Sequence, residues 1–189
     1  MTVVGIDPDV ERNGVATLDT ATGKLALQTL DFAHTLDYIR NLHDLHRQAA
    51  AKAATTDGQG CGLVVVVEAG WMNHGNYHTR QWHGRQASAS IGRDQGRNEQ
   101  TSRLIGEMLR HWGVPYVFKK PLTKMWGGHD RKITAAELEA LTRQRLGRTN
   151  QESRDAALLA WTHAAMPMHL DMTTLKAIVM GGGATAKGK

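Results

Sequence analysis

Apolar and polar positions change period three times along this chain. Thr2 to Asp7 (TVVGID) is a short β-branched run that predicts a buried strand ending in an acid. Pro8, Asn13 and Gly14 mark a turn, and Val15 to Leu18 returns as a second strand. After a hairpin turn at Thr20 to Gly23, Leu25 to Leu30 alternates as a third strand. From Thr35 to about Ala54 the period becomes helical, with Leu36, Ile39, Leu42 and Leu45 forming one stripe. Leu63 to Val67 (LVVVV) is a continuous apolar run that suits a central strand covered on both faces, and it stops at Glu68. Glu99 to Trp112 is a second helix, with Leu104, Ile105, Met108, Leu109 and Trp112 on one side. Val114 to Phe118 reads as the fifth strand. Thr134 to Leu146 follows as a helix opened by a Thr134/Glu137 capping box, and Glu152 to Ala165 as the last. Between Trp71 and Gly96 no period is visible. That stretch, rich in His, Arg, Gly and aromatics, predicts a long mobile loop with at most a helical piece.

The order β-β-β-α-β-α-β-α-α predicts an α/β fold: a mixed five-stranded sheet, three antiparallel strands and then parallel ones, with helices on its faces. One domain is expected over residues 1–180, with a flexible glycine-rich tail over 181–189. A chain of 189 residues with 41% apolar and 22% charged positions can bury a real core, which excludes a disordered chain. Cys61 is the single cysteine, so no intrachain disulfide is possible, and a cytoplasmic location is expected. No leader is expected, because the first residues already read as a strand, and no apolar run approaches the roughly 20 residues of a membrane span.

Charge adds a direction. The net charge is +5, but from Arg80 to Arg154 there are 15 Lys or Arg against 7 Asp or Glu, +8, which leaves −3 for the rest. A basic face for a polyanion fits better than a uniformly basic surface.

Four acids stand out by position. Asp7 and Glu68 end two strands, while Glu152 and Asp155 lie three apart in the first turn of the last helix and so on one side of it. Taken singly, Asp7-Pro8 is an ordinary turn, and the helix acids are ordinary dipole partners. Jointly they gain force: if the two strands are parallel neighbours, all four acids converge. Their repulsion would then call for cations, and oxygen-only ligands suit Mg²⁺. Two such ions roughly 4 Å apart can hold a phosphate, activate water and stabilise a leaving oxygen. His74, His78 and His83 match no common zinc spacing, and zinc is rejected.

Those motifs, VVGIDPD, VVVVEAGW and ESRDAALLAWTHA, resemble the RuvC family of Holliday-junction resolvases in the RNase H-like superfamily, in order and spacing, from Val3 to Ala165. The segments GRNEQ and GRTNQESRDAA look closest to phage and mobile-element variants. The resemblance implies an RNase H-like fold and structure-selective cleavage of branched DNA. It implies Asp7, Glu68, Glu152 and Asp155 as ligands of two Mg²⁺, with Mn²⁺ as a substitute, Lys132 beside the reacting phosphate, and a homodimer in a cytoplasmic, nucleoid-associated or phage-encoded setting. No small-molecule cofactor is expected. Two departures are Asp9, where the family has Gly, and Glu152, where it more often has Asp or His. Asp9 reads as a turn former.

Trp71 falls where the family carries an aromatic that wedges into the junction; closure over the core is the alternative. Tyr77, Arg80, Trp82, Arg85, Arg93 and Arg97 are candidates for stacking or phosphate contact, as are Lys119, Lys120, Lys124, Arg131 and Lys132 after strand five. The helix from Glu99 to Trp112 is the expected dimer face, with Trp112 equally placed to be core. Rival readings are a catalytically idle branched-DNA-binding module and a related nuclease acting on flaps, single strands or RNA. An actin-like ATP-binding protein would need two such domains and phosphate loops, and this chain is too short.

Overall fold

A computed structural model describes residues 1–54, 62–72 and 85–170. Strands β1 (Thr2–Asp7), β2 (Asn13–Asp19), β3 (Leu25–Leu30), β4 (Leu63–Glu68) and β5 (Tyr116–Lys119) form one sheet in the order β3-β2-β1-β4-β5. β1, β2 and β3 run antiparallel in turn, whereas β4 is parallel to β1 and β5 to β4. This is the mixed, helix-flanked sheet expected. The first three strands are joined by short turns; each parallel pair is bridged by a crossover that carries a helix.

Helices α1 (Phe32–Ala54) and α2 (Arg85–His111) lie on one face of the sheet, and α3 (Ala135–Thr142) and α4 (Gln151–His163) on the other. The period of two along a strand sends alternate side chains to opposite cores. Val4, Ile6, Val65 and Val67 pack with Ile39 of α1 and with Ile105 and Leu109 of α2. Val3 and Val66 pack with Leu138 and Leu141 of α3 and with Leu159 and Trp161 of α4. A fully buried Ile or Leu side chain stabilises by roughly 1.5–3 kcal/mol, so both faces hold the central strands.

The largest departure from expectation is α2. It begins at Arg85, where the sequence predicted loop as far as Gly96. Gly92, Arg93, Asp94, Gly96 and Arg97 are exposed. The described residues of this half are mostly exposed, and the sequence there has no apolar period; helix propagation from the packed half costs little once that half is formed. The same packing places part of the helix expected as a dimer face in the chain's own core. Ile105 and Leu109 are wholly buried in the chain's own core, and Trp112 packs against that core with the Arg40 guanidinium 5.6 Å from its ring centroid.

Other boundaries shift by a few residues. α1 starts at Phe32 because the Asp31 carboxylate accepts the His34 N–H at 2.8 Å. β5 starts at Tyr116 rather than Val114. α3 opens on the predicted Thr134/Glu137 capping box but ends at Arg143, which adopts the left-handed conformation (φ 54°, ψ 34°). Cys61 and the tail over 181–189 lie outside the described residues. No described helix is long and apolar enough to cross a membrane.

Candidate active site

The register of the parallel pair decides where the acids go. Ile6 of β1 lies beside Val67 of β4, so the next residues, Asp7 and Glu68, leave the sheet side by side at its C-terminal edge. α4 brings the other two. Its first turn sits directly on Gly14 of β2, where a Cβ would collide with the Glu152 carbonyl, and Gly5 of β1 admits the Ala156 carbonyl in the same way. Glycine inside a strand thus marks a close backbone approach. An Asn150 capping box, with Asn150 accepting from Ser153 N–H at 3.0 Å, fixes the start of the helix. Both acids of α4 consequently flank Asp7 and Glu68, one on each side. A cavity of about 260 Å³ is lined by Asp7, Glu68, Asp155 and Lys132. A second, of about 500 Å³, is lined by Asp7, Glu68, Glu152 and Lys132.

Burial and mutual repulsion dominate the electrostatics. Desolvation, then the charges of Glu68 and Asp155, hold the Asp7 carboxyl well above its ordinary range, against the pull of Lys132. Glu68 is pushed up to about 7, first by desolvation and then by Asp155, while Lys132 and Lys124 oppose the rise. For Lys132, desolvation alone would lower the ammonium's pKa; attraction to Asp155, with support from Asp7 and Glu152, raises it instead. Such a cluster is short of positive charge.

Asp155 is held from two sides. Lys132 Nζ stands 3.1 Å from Oδ2, and Gln151 Nε2 donates to Oδ1 at 2.8 Å. Gln151 is itself fixed by Arg154, which donates to Gln151 Oε1 at 2.8 Å and to the carbonyls of Ile133 and Thr149. Lys132 ends a tight loop in which Trp126 N–H donates to the Arg131 carbonyl and Gly128 N–H to the Lys132 carbonyl. Asp130 and Arg131 in that loop have φ of 54° and 59°, a costly conformation for residues with a Cβ. Buried Glu137 fastens it, accepting from Gly127 N–H and from Thr134 N–H and Oγ1, each at 2.8 Å.

Sequence reasoning missed Gly5, Gly14, Gln151, Arg154 and the wider role of Glu137. The glycines inside strands were the available signal; the Gln151–Arg154 contacts have no signature in one sequence.

The remaining candidates separate. Lys124, Arg131 and Lys132 line the first cavity with the acids. Lys119 pairs with Glu68 in the β4–β5 ladder, and Lys120 is exposed beyond it. Arg93 and Arg97 are exposed on α2. Tyr77, Arg80, Trp82 and the three histidines 74, 78 and 83 lie outside the described residues, as does the side chain of Arg85. Trp71 follows Glu68 in a 3₁₀ turn, Gly70–Met72, packs edge-on to Phe118 at 5.0 Å, and carries the Arg103 guanidinium 4.2 Å from its ring centroid. That is the closure alternative for this conformation. Asp9 is a turn former, accepting from Glu11 N–H at 2.9 Å and from Asn98 Nδ2 at 3.3 Å, which ties α2 to the β1–β2 turn.

The four acids fit a divalent cation in chemistry: their donors are all oxygen, two are held above their ordinary range by burial and repulsion, and cavities reach them. Among the described residues, no three of these groups are yet drawn close enough to grip one ion, and Lys132 occupies the counter-ion position at Asp155.

No family model matches this chain, and no curated protein matches it. Among solved structures, it is similar to T. thermophilus RuvC in complex with a Holliday junction substrate. Identity is 16%, the match covers 87% of this chain and 92% of that one, and the TM-score is 0.43. At that distance the chemistry has to be read from the site itself.

Proposed function

We propose that this chain is a Mg²⁺-dependent endonuclease that cuts branched DNA, Holliday junctions first among them. One observation carries the reading: two acids from neighbouring parallel strands and two from the start of α4 gather round one edge of the sheet, beside cations on a single loop. The ordered motifs that resemble the RuvC family supply the substrate class.

Asp7, Glu68, Glu152 and Asp155 would hold the ions, which when bound supply an activated water and stabilise the leaving 3′ oxygen; Mn²⁺ would serve in place of Mg²⁺. The chain's own residues do the rest. Gln151 and Arg154 fix the direction of Asp155. Lys132 stays beside the acids and stabilises charge that develops on the phosphate. Lys124 and Arg131 offset the charge of the incoming strand, a salt-sensitive contribution. Products carry 5′-phosphate and 3′-hydroxyl ends. Paired cuts across a two-fold junction require a homodimer. A setting in the cytoplasm, on host or phage DNA, follows from the same reading.

The test is cleavage of labelled synthetic four-way junctions beside flaps, single strands and RNA, with Mg²⁺, Mn²⁺ or chelator. Symmetric nicks in junctions that need metal and vanish in Asp7→Asn are expected. Junction binding with no metal-dependent cut by the wild type would leave an idle binding module.

A further inference from the structure

The cavity of about 260 Å³ beside the acids has a second character. Besides Asp7, Glu68 and Asp155 its lining has an apolar part, Pro121, Leu122, Trp126 and Leu158, and three cations, Lys124, Arg131 and Lys132. Leu122 and Trp126 are partly buried, each with one side packed on the core shared by α3 and α4. Trp126 is therefore rigidly backed. Its loop is braced by the Trp126–Arg131 and Gly128–Lys132 backbone bonds and by Glu137, so the wall is formed before any ligand arrives. Of the three cations, Lys132 is spent on Asp155, whereas Lys124 and Arg131 are exposed and form no ion pair among the described residues.

The other arm of the site is different. Around Asp9, Asp94, Glu99 and Glu152 the second cavity is strongly acidic. Among the described lining residues, a polyanionic strand crossing the four acids therefore meets more favourable charge on the side of Lys124 and Arg131.

We propose that the cavity walled by Trp126, Leu122 and Leu158 is a nucleoside subsite, which takes the base and sugar next to the scissile phosphate while Lys124 and Arg131 hold the following phosphate. This deepens the nuclease reading and rests on it. An apolar wall accepts a base by its face and sets no hydrogen-bonding code, so the subsite demands that a base be present more than that it be a given base. It also fixes the direction in which the strand lies across the site, with the neighbouring nucleotide on the Trp126 side and away from Glu152.

The experiment uses the full chain and four-way junctions in which one nucleotide at a time around the cut is made abasic. Binding is followed with Ca²⁺ and cleavage with Mg²⁺. For the wild type, one abasic position immediately beside the cut should weaken cleavage roughly 5- to 150-fold, the range for loss of one base stacked on an aromatic ring. Trp126→Ala should weaken cleavage of the intact junction by a similar factor and show little further loss at that one abasic position. Trp126→Phe, which keeps a ring on the core, should restore most of the rate and so separates stacking from a folding defect. Equal losses for Trp126→Ala on intact and abasic substrates, or indifference of the wild type to both neighbouring abasic sites, overturns the subsite while cleavage itself upholds the nuclease. Failure of the wild type to bind any junction removes both.

Discussion

Replacing Glu68 with Gln should make the metal-free protein more stable, although it removes a group the site needs. The substitution keeps the shape of the side chain and deletes its charge. In the wild type the Glu68 carboxyl is pushed from 4.5 up to about 7, chiefly because burial desolvates it and Asp155 repels it. Its folded pKa therefore lies above its unfolded one. Between about pH 4.5 and 7 the folded state binds more protons than the unfolded state, so stability falls as pH rises through that window. Above pH 7 the carboxylate is ionised in both states and the whole cost persists. At about 1.4 kcal/mol per pH unit, a rise from 4.5 to about 7 costs about 3 kcal/mol. Asp7 adds a cost of the same sign, with the same first cause.

Urea denaturation in chelator across pH 4 to 9 checks this. Glu68→Gln should match the wild type near pH 4, gain on it through the window, and exceed it by up to about 3 kcal/mol at pH 8. The pH slope should be reduced but not abolished, because Asp7 still titrates. Mg²⁺ far above its Kd should reverse the order, since an ion at about 1,000 times its Kd stabilises the wild type by about 4.1 kcal/mol and a variant lacking one ligand by much less. A Glu68→Gln protein no more stable than the wild type at pH 8, or one whose advantage is the same at pH 4, would refute the electrostatic account of the site.

Gln151→Ala leaves Asp155 without the 2.8 Å donor to its Oδ1, so we expect the Mg²⁺ concentration for half-maximal cleavage to rise about tenfold while junction binding in Ca²⁺ stays put; a metal titration reads it, and an unchanged Mg²⁺ requirement denies the relay. Gly14→Ala must push the first turn of α4 off β2; a loss of at least about 2 kcal/mol in urea melts is expected, together with lost cleavage, and retention of full activity would show that α4 does not need that contact. Glu137→Ala leaves three donors of the Lys132 loop without their acceptor, Gly127 N–H among them, and should cost about 2–4 kcal/mol by the same measurement, whereas a neutral effect would show that the loop is braced elsewhere.

How much of this was legible depended on whether a feature repeats along the chain. The central strands β1 and β4 were visible because their apolar runs are buried on two faces, and LVVVV could hardly be anything but a central strand; the edge strand β3 showed instead by its alternation. The stripe of Ile105 and Leu109 announces the packed half of α2, while the half up to Gly96 has no apolar period and so carries no helical signal. Asp7 and Glu68 were legible as acids ending strands, and parallel pairing of β1 with β4 sets them side by side. The contacts that aim Asp155 were not legible. Gln151 reaching Asp155, and Glu137 reaching Gly127 as well as its own cap, depend on backbone positions separated by loops whose course no local pattern encodes.

The least stable arrangements of the described chain meet at one edge of the sheet. There Asp7 and Glu68 repel each other and their neighbours, Asp130 and Arg131 hold left-handed backbone, and α4 touches β2 through a bare glycine. Elsewhere the two cores are apolar and well packed. Such costs persist only because the surrounding structure over-determines them. What would relieve the acids is positive charge, and the cations that offset their repulsion, Lys132 and Lys124, are two against four carboxylates. A site built merely to be stable would have Asn or Gln at two of these positions. That the chain keeps four acids there and braces them with Gln151, Arg154 and Glu137 is intelligible if the deficit of charge is what it uses to bind cations and, through them, a phosphate.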